Sequence, residues 1–134
     1  MRFELATPSR MLVSADVDEV VAPGVEGYFG VLPGHAPLLA LLGAGELWYR
    51  QGAEKHYLSL AFGFAEVGPD RVSILAQIAE KPEEIDIARA EAAKKRAEER
   101  LSKPTMDMDF ERARISVLKS LIRLQVATRA RTRV

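Results

Sequence analysis

The last of the chain's nine glycines is Gly68, and the 134-residue sequence changes its period soon after it. Glycine supplies the backbone conformations that tight turns need and weakens the interior of helices. A chain that punctuates its first part with glycine and then abandons it is built of two unlike parts. Up to about Ala79 it reads as strands and turns. Arg2–Thr7 alternates, with Phe3 and Leu5 on one face, and Pro8-Ser9-Arg10 reads as a turn. Val17–Ala22 is a β-branched run closed by Pro23-Gly24, and Tyr28–Leu32 is closed by Pro33-Gly34. Glu46–Gln51 and His56–Phe62 flank a hairpin loop, Gln51–Glu54, and Phe64–Val67 and Arg71–Ile78 flank Gly68-Pro69-Asp70. Seven or more short strands with a turn every 8–12 residues predict a β-sandwich or barrel.

From Glu83 onward there is no glycine, and Ala, Glu, Lys and Arg dominate residues 83–101. These are good helix formers. Pro104 interrupts any continuous helix, and Asp107 and Asp109 are candidate N-caps for a second one. In it Phe110, Ala113, Val117, Leu121 and Leu124 recur at helical steps. The expected division is a β domain over 1–82 and an antiparallel helical hairpin over 83–134. The first arm offers only alanine between Ile87 and Leu101, so at ~25 cal/mol per Å2 the arms gain little from each other.

Charge follows the same division. Residues 1–79 hold five basic and nine acidic side chains, whereas residues 80–134 hold 14 and 10. The last 24 residues carry seven basic side chains and one acid, Glu111, which points the tail toward a negative partner. The absence of cysteine excludes disulfides and thiolate metal sites, and two histidines, His35 and His56, argue against structural zinc. No apolar run is long enough to span a bilayer, and MRFELATPSR has no presequence character, so a soluble cytoplasmic protein is expected. Trp48 and Tyr49 read as sandwich residues.

The stretch EKPEEIDIARAEAAKKR, Glu80–Arg96, admits two readings. Pro82, Glu83, Glu84 and Asp86 make a helix start that satisfies its own dipole, and Asp86 to Arg89 is an (i, i+3) pair worth ~0.2–0.5 kcal/mol. Yet at 100° per residue Arg89 and Arg96 lie about 60° and about 80° from Asp86 on the same side. On the second arm Arg112, Lys119 and Arg123 fall within about 40° of one another. Folded back, the two stripes converge, and like charges repel unless an anion lies between them. A triphosphate suits guanidinium forks, with Asp86 accepting from an adenine amino group or orienting Arg89.

Three segments carry a family resemblance. GVEGYFGVLPGHAPLL (Gly24–Leu39), LSLAFGFAEVGPDRVSILA (Leu58–Ala76) and IDIARAEAAKKRAEERL (Ile85–Leu101) resemble, in order and over essentially the whole chain, the epsilon subunit of the bacterial F-type (rotary) ATP synthase. The resemblance implies a ten-stranded β-sandwich followed by a two-helix antiparallel hairpin. It implies a non-catalytic regulatory subunit on the central stalk, in agreement with the lack of a GxxxxGK[ST] loop. It implies partners in the gamma subunit, the membrane rotor (c) ring and the catalytic alpha and beta subunits, with no nucleic acid. The subunit couples proton-driven rotation to ATP synthesis, and its movable hairpin brakes hydrolysis. It is peripheral, held at the cytoplasmic face of the bacterial inner membrane only through the complex. Glu26, Tyr28 and His35 fall in the region that meets the rotor ring, with Tyr28 where many members carry an acid. No cofactor is required, but ATP enters as a regulatory ligand. Members that bind it resemble this chain at Glu80, Ile85, Asp86, Arg89, Ala90, Arg96 and Arg123, while Lys119 stands where they have arginine. Lysine keeps the charge and loses the fork. The competing reading is a basic-helix module for nucleic acid or an anionic membrane surface, built on Arg112–Arg133.

Overall fold

The computed structural model describes residues 1–102 and 110–131. Seven strands come first: β1 Arg2–Thr7, β2 Arg10–Asp16, β3 Glu19–Gly24, β4 Gly27–Val31, β5 Leu38–Gln51, β6 Glu54–Val67 and β7 Arg71–Glu80. A single 3₁₀ turn, Pro82–Glu84, leads to α1, Ile87–Ser102, and α2 spans Phe110–Arg131. The strand order is β2-β1-β7-β6-β5-β3-β4. β1 and β7 run parallel, and every other pair is antiparallel.

Ten strands are not found; the described residues form seven, in one sheet. The difference is one of continuity. β5 and β6 each run for 14 residues, so Glu46–Gln51, His56–Phe62 and Phe64–Val67 are parts of longer strands. Arg10, expected in a turn, begins a strand over residues 10–16 that pairs with β1. The turn between β5 and β6 is two residues long, with Gly52 at φ 60°, the left-handed geometry that matches hairpin twist.

The long strands bend. β5 and β6 pair from Leu38↔Val67 to Leu42↔Gly63, and again from Ala44↔Ala61 to Gln51↔Glu54. The break falls on Gly43 and Phe62, where Phe62 takes φ 65° and Gly63 φ 151°. A Cβ on Gly63 would stand 2.2 Å from the Leu75 carbonyl oxygen, so β6 and β7 approach here as closely as they do only because the residue is glycine. Bent in this way the sheet closes over itself. Phe3, Leu5, Leu12 and Val13 from one end of the strand order share a buried cluster with Val20, Ala22 and Val31 from the other. The result is the expected sandwich.

A second buried cluster holds the hairpin. It joins Ile85, Ile122, Val126 and Ala127, with Ala44, Tyr57 and Ile87 packed against it. The arms, weakly attractive to each other, are therefore glued to the sandwich. Among the residues of α2 whose side chains are described, Ala113, Ser120, Ile122, Val126 and Ala127 are buried, whereas Leu118 and Leu121 are exposed. The expected stripe through Leu121 is thus displaced. α2 packs against α1 and the sheet at once, so its covered arc spans about 180° from Ile122 to Ala113. Pro104, Asp107 and Asp109 lie outside the described residues.

Candidate functional site

Between the hairpin and the β6–β7 surface lies a cavity of about 440 Å3, lined by Glu80, Arg89, Lys119 and Arg123 together with Ser59, Ser116 and Ser120. Four of the eight nucleotide-site residues therefore face one space. Glu80 ends β7 and forms a two-pronged pair with Arg123, Nε to Oε1 at 2.8 Å and Nη2 to Oε2 at 3.1 Å. About a quarter of each side chain is exposed (26% and 22%), so water screens the pair only in part. Lys119 Nζ stands 5.3 Å from the centroid of the Phe62 ring, close enough for a cation–π contact. The strained bend of β6 thus also presents a ring to α2.

The other four residues do other work. The Asp86 Oδ1 accepts the backbone N–H of Arg89 at 3.1 Å, so Asp86 is the N-cap of α1. Ile85 and Ala90 are buried. Ile85 is extended (φ −85°, ψ 120°) between the 3₁₀ turn and its cap. That kink separates Pro82 from α1 and turns the Ile85 side chain into the second cluster. Arg96 is exposed and does not line the cavity. Seven residues beyond Arg89, at 1.5 Å per residue, it lies about 10 Å along the axis. Sequence reasoning missed the serines. Ser116 and Ser120 share a helix face with Arg123 and were findable by spacing, whereas only topology brings Ser59 under them.

The connection from β7 to α1 is itself tied down. Arg10 Nη2 lies 2.6 Å from Glu84 Oε2, and the Lys81 N–H donates to Glu84 Oε1 at 2.9 Å. Burial works to raise the Glu84 carboxyl, but the Lys81 amide and the Arg10 guanidinium outweigh it and hold it below the usual carboxylate range. A carboxylate with a depressed folded-state value stabilises above its unfolded value and loses that effect as pH falls through the folded one. The tie is therefore intact at neutral pH.

Of the rotor-ring candidates, Glu26 lies in the β3–β4 turn and Tyr28 near the start of β4. Tyr28 is exposed, yet its hydroxyl accepts the Glu46 N–H at 3.0 Å. His35 lies past the other end of β4, its Nδ1 2.6 Å from the Ala36 carbonyl oxygen. Roughly 10 Å of strand separates Tyr28 from Val31, so β4 holds the two sets apart. Elsewhere Met11, Ala6, Leu75, Phe64 and Leu41 stand in direct register across five strands, and the four large ones are exposed. The next row is polar over four strands, Ser14, Glu4, Ser73 and Glu66, and ends on β5 at the exposed Leu39. An exposed apolar row with a polar border is the anatomy of a protein interface.

Among the described residues no cluster of acidic and histidine side chains could hold a metal, and no helix is long and apolar enough to cross a membrane. Residues 1–82 match the family model of the ATP synthase delta/epsilon chain β-sandwich domain, and residues 83–128 that of its long α-helix domain. The ATP synthase epsilon chain of Koribacter versatilis is 56% identical over 99 residues, 74% of this chain and 70% of that one. Epsilon chain 2 of Syntrophotalea carbinolica is 44% identical over 130 residues, 96% and 94% of the two chains. In fold, the chain is similar to a chain of the Euglena gracilis mitochondrial ATP synthase, with TM-score 0.69, 23% identity, and 97% and 78% coverage.

Proposed function

The chain belongs to the ATP synthase delta/epsilon family as an epsilon chain, a non-catalytic subunit of that complex, and on this premise we propose that its hairpin is a movable brake on ATP hydrolysis. The subunit then stands on the central stalk, couples proton-driven rotation to ATP synthesis, and reaches the alpha and beta subunits when the hairpin extends. It meets the membrane, at the cytoplasmic face of the bacterial inner membrane, only through the complex. The observation that carries the reading is the separation of the two buried clusters. Because the hairpin docks through its own small cluster, it can leave without opening the sandwich core. Family membership leaves the nucleic-acid or membrane-surface alternative without ground.

Gamma is assigned to the apolar row on the outer face. Phe64 is at its centre, paired with Leu41 and Leu75. Phe64→Asp buries a charge in that interface and is expected to abolish co-purification with gamma while leaving the melting curve of the isolated chain nearly unchanged. Retained gamma binding would remove the assignment. The rotor-ring contact is assigned to edge strand β4 and its two ends, Glu26 and Tyr28 on one side and His35 on the other.

ATP is the proposed regulatory ligand of the cavity, its phosphates facing Arg89, Lys119 and Arg123. Titration calorimetry of ATP into the full chain is expected to give heat, Arg89→Ala to abolish it, and Lys119→Arg to tighten binding by restoring the fork. Absence of heat at millimolar ATP would end the sensing role and leave the brake standing.

A further inference from the structure

We propose that Glu80 is a built-in counter-anion that locks the hairpin onto the sandwich without any ligand. The inference deepens the ATP reading, because it concerns the same cavity, but it rests on the ion pair alone. Among the described residues three cations, Arg89, Lys119 and Arg123, line a space in which Glu80 is the one carboxylate. Arg89 comes from α1, Lys119 and Arg123 from α2, and Glu80 from the end of the sandwich. Convergence of like charges needs an anion, and the chain supplies it. The pair spans 43 residues, so it cannot form by local structure. It forms only when α2 lies on the sheet, where the guanidinium donates from Nη2 to Oε2 and holds its buried Nε 2.8 Å from Oε1, too poorly aligned for a second hydrogen bond.

Two consequences follow from this geometry. The hairpin of the ligand-free protein rests in the docked position. A triphosphate entering the cavity must also compete with Glu80 for the Arg123 guanidinium. Glu80 thereby sets how much free ligand the site ignores.

The test is made on the full chain in nucleotide-free buffer, with the distance between a dye on α2 and one on the sandwich followed by fluorescence transfer. Wild type is expected to be closed. Glu80→Gln leaves three unbalanced cations and is expected to raise the open population at least tenfold, with near-UV dichroism of the sandwich retained. Inorganic tripolyphosphate, used as the probe, is expected to close that variant at concentrations that leave wild type unaffected. Arg123→Gln supplies an independent route: it should open the hairpin too, and the double variant should be no more open than the worse single one, because the same pair is lost in each. A Glu80→Gln chain as closed as wild type, or additive effects in the double variant, would overturn the lock. The outcomes separate from those of the ATP reading. A wild-type chain that is closed and gives no heat with ATP keeps the lock and loses the sensor; a Glu80→Gln chain that stays closed loses the lock whatever ATP does.

Discussion

Gly63→Ala is expected to destabilise the protein by about 3 kcal/mol or more, a large share of the ~5–15 kcal/mol that holds a domain folded. The position takes φ 151°, and the added Cβ would meet the Leu75 carbonyl oxygen at 2.2 Å and the Ala76 Cα at 2.8 Å. A strained backbone conformation alone costs ~1–3 kcal/mol. Here the neighbours are backbone, so relief requires parting β6 from β7 at the bend that closes the sandwich. Gly52→Ala is the control. It also has positive φ, 60°, but nothing lies within 4 Å of its Cβ position, and a left-handed residue of this kind costs ~1–2 kcal/mol. Urea unfolding of both variants decides the matter. A Gly63→Ala chain no less stable than Gly52→Ala would show that the close approach of β6 to β7 is not needed.

Removal of residues 82–134 is expected to leave a sandwich that folds cooperatively and binds gamma, and to raise ATP hydrolysis by the assembled complex severalfold while synthesis persists. The first half of this expectation rests on packing. Every residue of the larger buried cluster lies at or before Ala79, so the deletion leaves that core whole and costs the sandwich only surface contacts: those of Ala44 and Tyr57 with the hairpin, the Arg10–Glu84 and Glu80–Arg123 pairs, and Lys119 over Phe62. The second half rests on charge, since the deleted tail carries the seven basic side chains of Arg112–Arg133, which an extended hairpin would bring against acidic surface. A truncated chain without near-UV dichroism would contradict the packing argument. A complex lacking the tail whose hydrolysis is unchanged across a range of ATP concentrations would contradict the brake.

The division into sandwich and helices was legible because it is written in local chemistry. Gly68 ends the glycines, alternation gives way to helical spacing, and Asp86 caps α1 by a bond three residues long. Each of these signals needs only neighbours in the chain. Strand boundaries were not legible, because the break at Phe62 and Gly63 looks like the end of a strand in sequence and is a bend within continuous strands once β5 and β6 pair. Nor was the buried side of α2. The spacing of Leu121 with Phe110, Ala113 and Val117 marks an apolar stripe, but which apolar residues are covered depends on the two surfaces that α2 meets.

The site divides in the same way. Sequence by itself determined that Arg89, Lys119 and Arg123 share sides of two helices, because helical angle is set by residue number. It also determined that the tail is basic. Tertiary structure decided that Arg96 falls beyond the cavity, that Ile85 joins a docking cluster, and that Arg123 closes on Glu80 across 43 residues. The reason is the range of the forces involved. Hydrogen-bond caps and helical faces are settled within a turn, whereas the partner of a charge or an apolar side chain is whatever the fold of distant strands sets beside it.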